Sequence, residues 1–348
     1  MKIVVLCGGL SPERNVSLSS GTRIASTLMK NGHKVVLVDL FFGLEDYTGK
    51  LDDIFDNPPE LGGTKIDEIA PDLDAVRAAR RLKSDSQFGV GVIELCQRAD
   101  LVFMALHGQC GEDGKVQAAF DLLGVKYTGA GFEGSAIAMD KDLTKRVVAP
   151  LGVKTPQWRT YFCAAVTAEQ VLADLPLPLV VKPDDSGSSI GVSIARTERE
   201  LRGALSAAAH ESTRVIIEQY VAGREIQVGI LDGKALPSIE IRPKTGFYDY
   251  KNKYQPGAAE EITPSPIPAE AETRVGAAAV TVYEALRLKV YSRADFIYDA
   301  AGEFWFLEIN TLPGMTPTSL VPQEAAVVGL SYSRLCEEII RLSMEKYQ

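Results

Sequence analysis

Histidine is scarce in this 348-residue chain: three residues, His33, His107 and His210. A histidine-built metal cluster is thereby excluded, and a Ser-His-Asp triad has few candidates. Cysteine is thin and scattered, with five residues at 7, 96, 110, 163 and 336 and no C-x-x-C pair. That pattern suits reduced thiols rather than a disulfide framework or a zinc site. Basic charge is also in deficit, with a net charge of −9 and a pI near 5.1. Nucleic acid and anionic membrane surfaces call for basic patches, so neither is expected as a partner. No apolar run approaches the roughly 18 residues of a membrane span. The apolar run within the opening Met1-Lys-Ile-Val-Val-Leu-Cys7 is about five residues, short of the roughly 7–15 of a signal-peptide core, which makes the cytoplasm the expected compartment. Hydrophobic residues nevertheless make up 46% of the chain, enough to bury two or three domain cores.

The most informative stretch is near the end. Tyr291-Ser-Arg-Ala-Asp-Phe-Ile-Tyr298 and Phe304-Trp-Phe-Leu-Glu-Ile-Asn310 are two β-rich runs joined by a Gly-bearing turn, which reads as a hairpin. Alternation puts Arg293 and Asp295 on one face of the first strand, and Glu308 and Asn310 on one face of the second. A four-residue turn over 300–303 sets Asp295 opposite Glu308 and Arg293 opposite Asn310. Three oxygen ligands without His or Cys make a hard site suited to Mg²⁺, with Mn²⁺ as a substitute. A solvated strand face carrying an ion pair is the plainer alternative.

From the start, Lys2 to Leu6 reads as a buried strand, Gly8-Gly9 as a turn, Val16 to Lys30 as a helix and Lys34 to Leu40 as the next strand. This βαβ opening implies an α/β fold with a doubly wound parallel sheet. Glu13 lies at the carboxyl end of the first strand, where such sheets bind ligands, but also suits a helix N-terminus. Residues 43–85 read as an insertion of no visible function. Gln87 to Arg98 reads as a helix, Leu101 to Leu106 as a strand, Lys115 to Leu123 as a helix and Val125 to Thr128 as the last strand of this domain. His107 follows a strand, where a lone histidine commonly serves as a structural hydrogen-bonder.

A second domain begins near 130 with a helix from Phe132 to Leu151. Thr167-Ala-Glu-Gln170 and Thr197-Glu-Arg-Glu200 read as capping boxes. Between them, strand Leu179–Lys182 leads into Pro183-Asp-Asp-Ser-Gly-Ser-Ser-Ile-Gly191, a Ser/Gly-rich loop able to wrap phosphate but not a Walker A loop. Val215 to Val221 is a strand bearing Glu218, and 225–231 pairs with 234–241 across Asp232-Gly233. Residues 242–268 lack apolar periodicity yet carry Phe247-Tyr-Asp-Tyr-Lys-Asn-Lys-Tyr254, which argues for a lid. Helices over 269–288 and 331–346 flank the hairpin.

Taken together, Ser11-Pro-Glu-Arg-Asn-Val-Ser17, His107-Gly-Gln-Cys-Gly-Glu-Asp-Gly114, the loop 183–191, the stretch 247–254, Arg293-Ala-Asp295, Glu308-Ile-Asn310 and Thr311-Leu-Pro-Gly-Met-Thr316 resemble the signature segments of D-alanine–D-alanine ligases, within the ATP-grasp superfamily. The likeness recurs along most of the chain. It implies a three-domain ATP-grasp architecture divided as 1–129, 130–221 and 222–348, with nucleotide between the second and third domains. It implies ATP-dependent ligation of two D-alanines through an acyl phosphate, with D-alanine and ATP as small-molecule partners, and a homodimer. Glu13 would hold the first ammonium, with His107 near the first substrate. Lys141, Lys182 and Lys253 would meet phosphate, and Ser188 and Tyr254 would serve substrate and chemistry. Glu218, Gln219 and Val221 would frame adenine and Glu225 the ribose. Asp295, Glu308 and Asn310 would hold Mg²⁺, Arg293 and Gly314 the oxyanion, and Ser319 and Leu320 the substrate. D-lactate or D-serine as second substrate, another ATP-grasp ligase, and a non-catalytic nucleotide-binding regulator are the alternatives.

Overall fold

The computed structural model describes residues 1–60, 70–184, 191–244 and 257–348. The first sheet is parallel: β1 (Lys2–Cys7) lies between β2 (Lys34–Asp39) and β3 (Leu101–Met104). Its near-continuous apolar runs are what a sheet covered on both faces requires. Helix Arg14–Lys30 buries Ile24, Ala25 and Leu28 on one side. Helix Tyr332–Glu345, at the far end of the chain, sends Leu335, Cys336, Ile339 and Leu342 into the same core. Each such side chain fully withdrawn from water contributes roughly 1.5–3 kcal/mol, so the last helix is a structural part of the first sheet's layer.

Two further sheets are antiparallel. One runs β4 (Trp158–Phe162), β7 (Arg214–Gln219), β5 (Leu179–Pro183), β6 (Ser193–Ala195), with helices Ala168–Asp174 and Glu198–Glu211 burying Val171, Leu201 and Ala204 against it. The other runs β11 (Ala259–Ile262), β10 (Ile239–Pro243), β8 (Gly223–Leu231), β12 (Tyr291–Asp299), β13 (Phe304–Asn310), with β9 (Lys234–Ala235) also on β8. Helix Ala269–Ala285 packs Val275, Ala279 and Val282 against Ile226, Val228, Ala294 and Phe296. Alternation therefore turns Glu225, Gln227, Arg293 and Asp295 to the opposite face.

The hairpin register is as expected at the polar positions, Arg293 opposite Asn310 and Asp295 opposite Glu308. It is reached differently. Tyr298 pairs with Phe304, so the connection is longer than a four-residue turn, and a bulge beyond Asp295 takes up the extra residue by placing Phe306 opposite Phe296.

Several expected elements differ. The single helix over 132–151 is two, Phe132–Met139 and Lys141–Val148, followed by a 3₁₀ turn over Ala149–Leu151. Asp140 leaves helical geometry with ψ 102° and caps the second helix by accepting from the Leu143 N–H at 2.9 Å. The strand over 125–128 reduces to one parallel bridge between Val102 and Tyr127. The helix over 87–98 shortens to Val92–Gln97, because Val90 bridges to Gly43 and Gly91 is left-handed. Thr167 and Gln170 form the complete capping box, whereas Glu200 turns to the Arg196 N–H and leaves Thr197 with half of one.

Candidate functional site

The sheet of β4–β7 and the face of β8, β12 and β13 enclose a cleft. From the first come Val180, Lys182, Glu218, Gln219 and Val221; from the second come Glu225, Asp295, Ile297 and Glu308, and Lys141 joins them. The expected adenine and ribose residues, Lys141 and Lys182 for phosphate, and Asp295 and Glu308 for metal thus border one space, apolar at Val180 and Ile297 and charged at the strand ends.

Glu218 is fully buried on β7. Lys182 Nζ lies 2.7 Å from its Oε2 and Lys145 Nζ 3.1 Å from its Oε1. Burial alone pushes this carboxyl up, but the two ammonium groups outweigh it and hold it below the usual glutamate value. Lys145 did not emerge from the sequence. It is wholly buried, donates to Thr155 Oγ1 at 2.6 Å and faces the Trp158 ring at 5.7 Å. Burial pulls it down to about 8 against the attraction of Glu218.

The residues expected to hold metal meet as the hairpin register places them. Arg293 forks Asp295 through Nε to Oδ1 at 2.8 Å and a terminal nitrogen to Oδ2 at 2.9 Å. Asn310 Nδ2 donates to the same Oδ2 at 3.2 Å, which leaves its amide oxygen without that contact. Lys141 Nζ stands 3.3 Å from Glu308 Oε2. Burial lowers the Lys141 ammonium, yet Glu308 beside it more than compensates and leaves it above the ordinary lysine value. Among the described residues no group of three or more His, Cys, Asp or Glu could hold a metal. Two carboxylates and an amide oxygen fit Mg²⁺ shared with phosphate oxygens rather than caged by protein.

A smaller pocket adjoins, bordered by Glu13, Gly108, Glu112, Met139, Lys141, Glu308 and Asn310. Gly108 has φ +70°, and a Cβ there would stand 2.8 Å from Glu13 Oε2, so a side chain at this position would evict the carboxylate. Glu112 is a second residue that sequence reasoning passed over, although it lies in the 107–114 segment. Its Oε2 accepts from the Gly108 N–H at 3.0 Å, and its Oε1 from the N–H groups of Thr311 and Leu312 at 3.1 and 3.0 Å. Burial and then the Glu13 charge push it up to about 7. His107 donates from Nδ1 to the Leu312 carbonyl at 2.8 Å, which makes Nε2 the acceptor for Ser20 Oγ at 3.2 Å. Burial depresses its protonation. Both residues tie the first domain to the loop after β13.

In that loop, Ser319 Oγ accepts from the Thr316 N–H at 3.0 Å, and a Cβ on Gly314 would stand 3.0 Å from it. Leu320 is buried against Ile239 and Ile241. Ser188, Lys253 and Tyr254 lie outside the described residues.

Two family models match the chain: the D-ala D-ala ligase N-terminus over residues 2–130 and the D-ala D-ala ligase C-terminus over residues 147–341. The chain belongs to the D-alanine–D-alanine ligase family. It is 40% identical over 342 residues to the D-alanine–D-alanine ligase of Pediococcus pentosaceus, covering 98% of this chain and 97% of that one. It is 39% identical over 350 residues to that of Lacticaseibacillus casei, covering 100% and 97%. Among solved structures, the Bacillus anthracis D-alanine–D-alanine ligase complexed with ATP superposes with a TM-score of 0.76 at 31% identity, covering 99% and 98%. The VanG D-Ala:D-Ser ligase of Enterococcus faecalis gives 0.75 at 30%, covering 98% and 99%. The fold is therefore ATP-grasp, and the enzyme is an ATP- and Mg²⁺-dependent ligase that joins two D-alanines through an acyl phosphate for peptidoglycan precursor synthesis. No helix among the described residues of this ligase is long and apolar enough to cross a membrane.

Proposed function

We propose that ligation takes place where the two pockets meet, at the Lys141–Glu308 pair that borders both. This shared border carries the reading: it sets a phosphate-neutralising cation between a nucleotide cleft and an amino-acid pocket holding Glu13. Glu13 receives the ammonium of the first D-alanine, whose carboxylate then points toward the γ-phosphate. Lys141 and Lys182, with Lys253 from the lid, neutralise phosphate oxygens. Glu218, Gln219 and Val221 read adenine, and Glu225 takes the ribose hydroxyls. Asp295, Glu308 and Asn310 hold Mg²⁺, which when bound lowers the charge of the transferring phosphoryl group.

Arg293 is engaged by Asp295, and on our reading it turns, together with the Gly314 N–H, to the oxyanion formed when the second amine attacks. Ser188 and Tyr254 orient that amine, His107 holds the first pocket against the loop after β13, and Ser319 with the Leu320 N–H receives the second carboxylate. The chain divides functionally at 129/130 and 221/222, works as a homodimer and acts in the cytoplasm, where its free thiols stay reduced.

Phosphate release from ATP, measured against D-alanine, D-serine and D-lactate as second substrates, tests this reading. D-alanine alone should give efficient turnover at neutral pH. Tyr254→Phe removes one hydroxyl and should slow dipeptide formation roughly threefold to tenfold, the scale of one neutral hydrogen bond. Equal rates with all three acceptors would refute the assigned second pocket.

A further inference from the structure

Glu218 is one carboxylate shared by two lysines, one lining the cleft and one wholly buried. Lys182 borders the cleft at the end of β5, immediately before the Ser/Gly-rich stretch 183–191, and its Nζ lies 2.7 Å from Glu218 Oε2. Lys145 is 0% exposed and presents no surface to a ligand. Its amine is anchored by Thr155 Oγ1, whose hydroxyl in turn donates to the Phe306 carbonyl on β13 at 2.9 Å.

We propose that Lys145 is a positioning residue for base recognition: it stays as the counter-ion of Glu218 once ATP draws Lys182 onto phosphate. The proposal rests on the reading that Glu218 meets the adenine 6-amino group. That group is a donor, so Glu218 must face it as an ionised acceptor. A carboxylate this deeply buried, stripped of Lys182 and given no other partner, would take up a proton and turn a donor toward the base. Lys145 prevents this without competing for the acceptor. Its amine stands 3.1 Å from Oε1 and makes a shorter contact, 2.6 Å, with Thr155 Oγ1. Both ammonium groups hold the Glu218 carboxyl below its usual value.

The test compares ATP with inosine triphosphate, whose 6-oxo group offers an acceptor at the same position. Phosphate release with D-alanine gives KM and kcat for each nucleotide. Lys145→Met should raise KM for ATP roughly tenfold or more, the scale of one charge-assisted hydrogen bond, with kcat little changed. KM for inosine triphosphate should stay near its starting value, so that the preference for ATP collapses. Lys182→Met should weaken both nucleotides together and leave the preference intact. In a Glu218→Gln background, Lys145→Met should cause no further loss of preference. Equal losses for both nucleotides, no loss, or a full additional loss in the Glu218→Gln background would overturn the role of Lys145. A Glu218→Gln enzyme that keeps its preference would instead refute the adenine reading, and the proposal with it. Should Lys145→Met not fold, Thr155→Val removes only the anchor; it should lower the preference in the same direction by a smaller factor, and an unchanged preference overturns the proposal.

Discussion

At the scale of single residues, Asp295 carries the sharpest expectation. It is 3% exposed, gripped at both oxygens by Arg293 and touched by Asn310. Asp295→Asn keeps the volume and removes the charge, so Mg²⁺-supported turnover should fall by roughly two orders of magnitude, as for loss of one preorganised charge contact. The fork with Arg293 adds a stability cost, because an amide cannot accept from all the donors now facing the carboxylate; about 1–3 kcal/mol is expected by chemical denaturation. A variant with near-normal kcat would remove Asp295 from the metal site. Asp295, Glu308 and Asn310 were legible because period-two alternation and a short connection fix their face and register. Lys145 and Glu112 were not, since their significance comes from partners distant in sequence: Glu218 on β7 for one, Thr311 and Leu312 after β13 for the other.

Secondary-structure elements show the same divide. Strands and helices with strong apolar periodicity stand where the sequence puts them, as with β1, β2 and helix Lys115–Leu123. The break at Asp140 was hidden, because the helical pattern runs through it and an aspartate inside a charged run gives no stop signal. The bulge in the hairpin was hidden too, since a longer connection and an extra strand residue cancel in the register of Asp295 and Glu308. The break has a consequence for function. Asp140 caps the helix whose first residue is Lys141, which fixes that ammonium near Glu308. Asp140→Ala should cost about 1 kcal/mol of stability, typical of a lost N-cap. Fraying of the first turn should also raise KM for ATP more than KM for D-alanine. An unchanged melting temperature and unchanged ATP kinetics would show that Lys141 is held by other contacts.

Across the whole molecule, Glu112 is where the first domain senses both the substrate pocket and the loop after β13. Its carboxyl is pushed up to about 7 by burial and by the charge of Glu13, against the pull of the backbone donors at Leu312 and Gly108. The folded enzyme therefore holds a proton that the unfolded chain releases near pH 4.5. A raised carboxyl contributes stability that is complete below about pH 4.5 and is lost as pH rises through about 7. Glu112→Gln does not titrate, so the fall in stability across that window should flatten, while the loss of an acceptor for the Gly108 N–H should lower stability at every pH. Substrate binding supplies the functional counterpart. If the D-alanine ammonium docks on Glu13 as proposed, it cancels the repulsion that Glu13 exerts on Glu112, and the Glu112 carboxyl becomes more acidic. Binding near pH 7 should therefore expel a fraction of a proton. Calorimetric titration of D-alanine in buffers of different ionisation enthalpy would detect the release as a buffer-dependent heat, and that dependence should vanish in Glu112→Gln. Net proton uptake on binding, or a release that persists in Glu112→Gln, would show that the charge of Glu13 is not what raises Glu112.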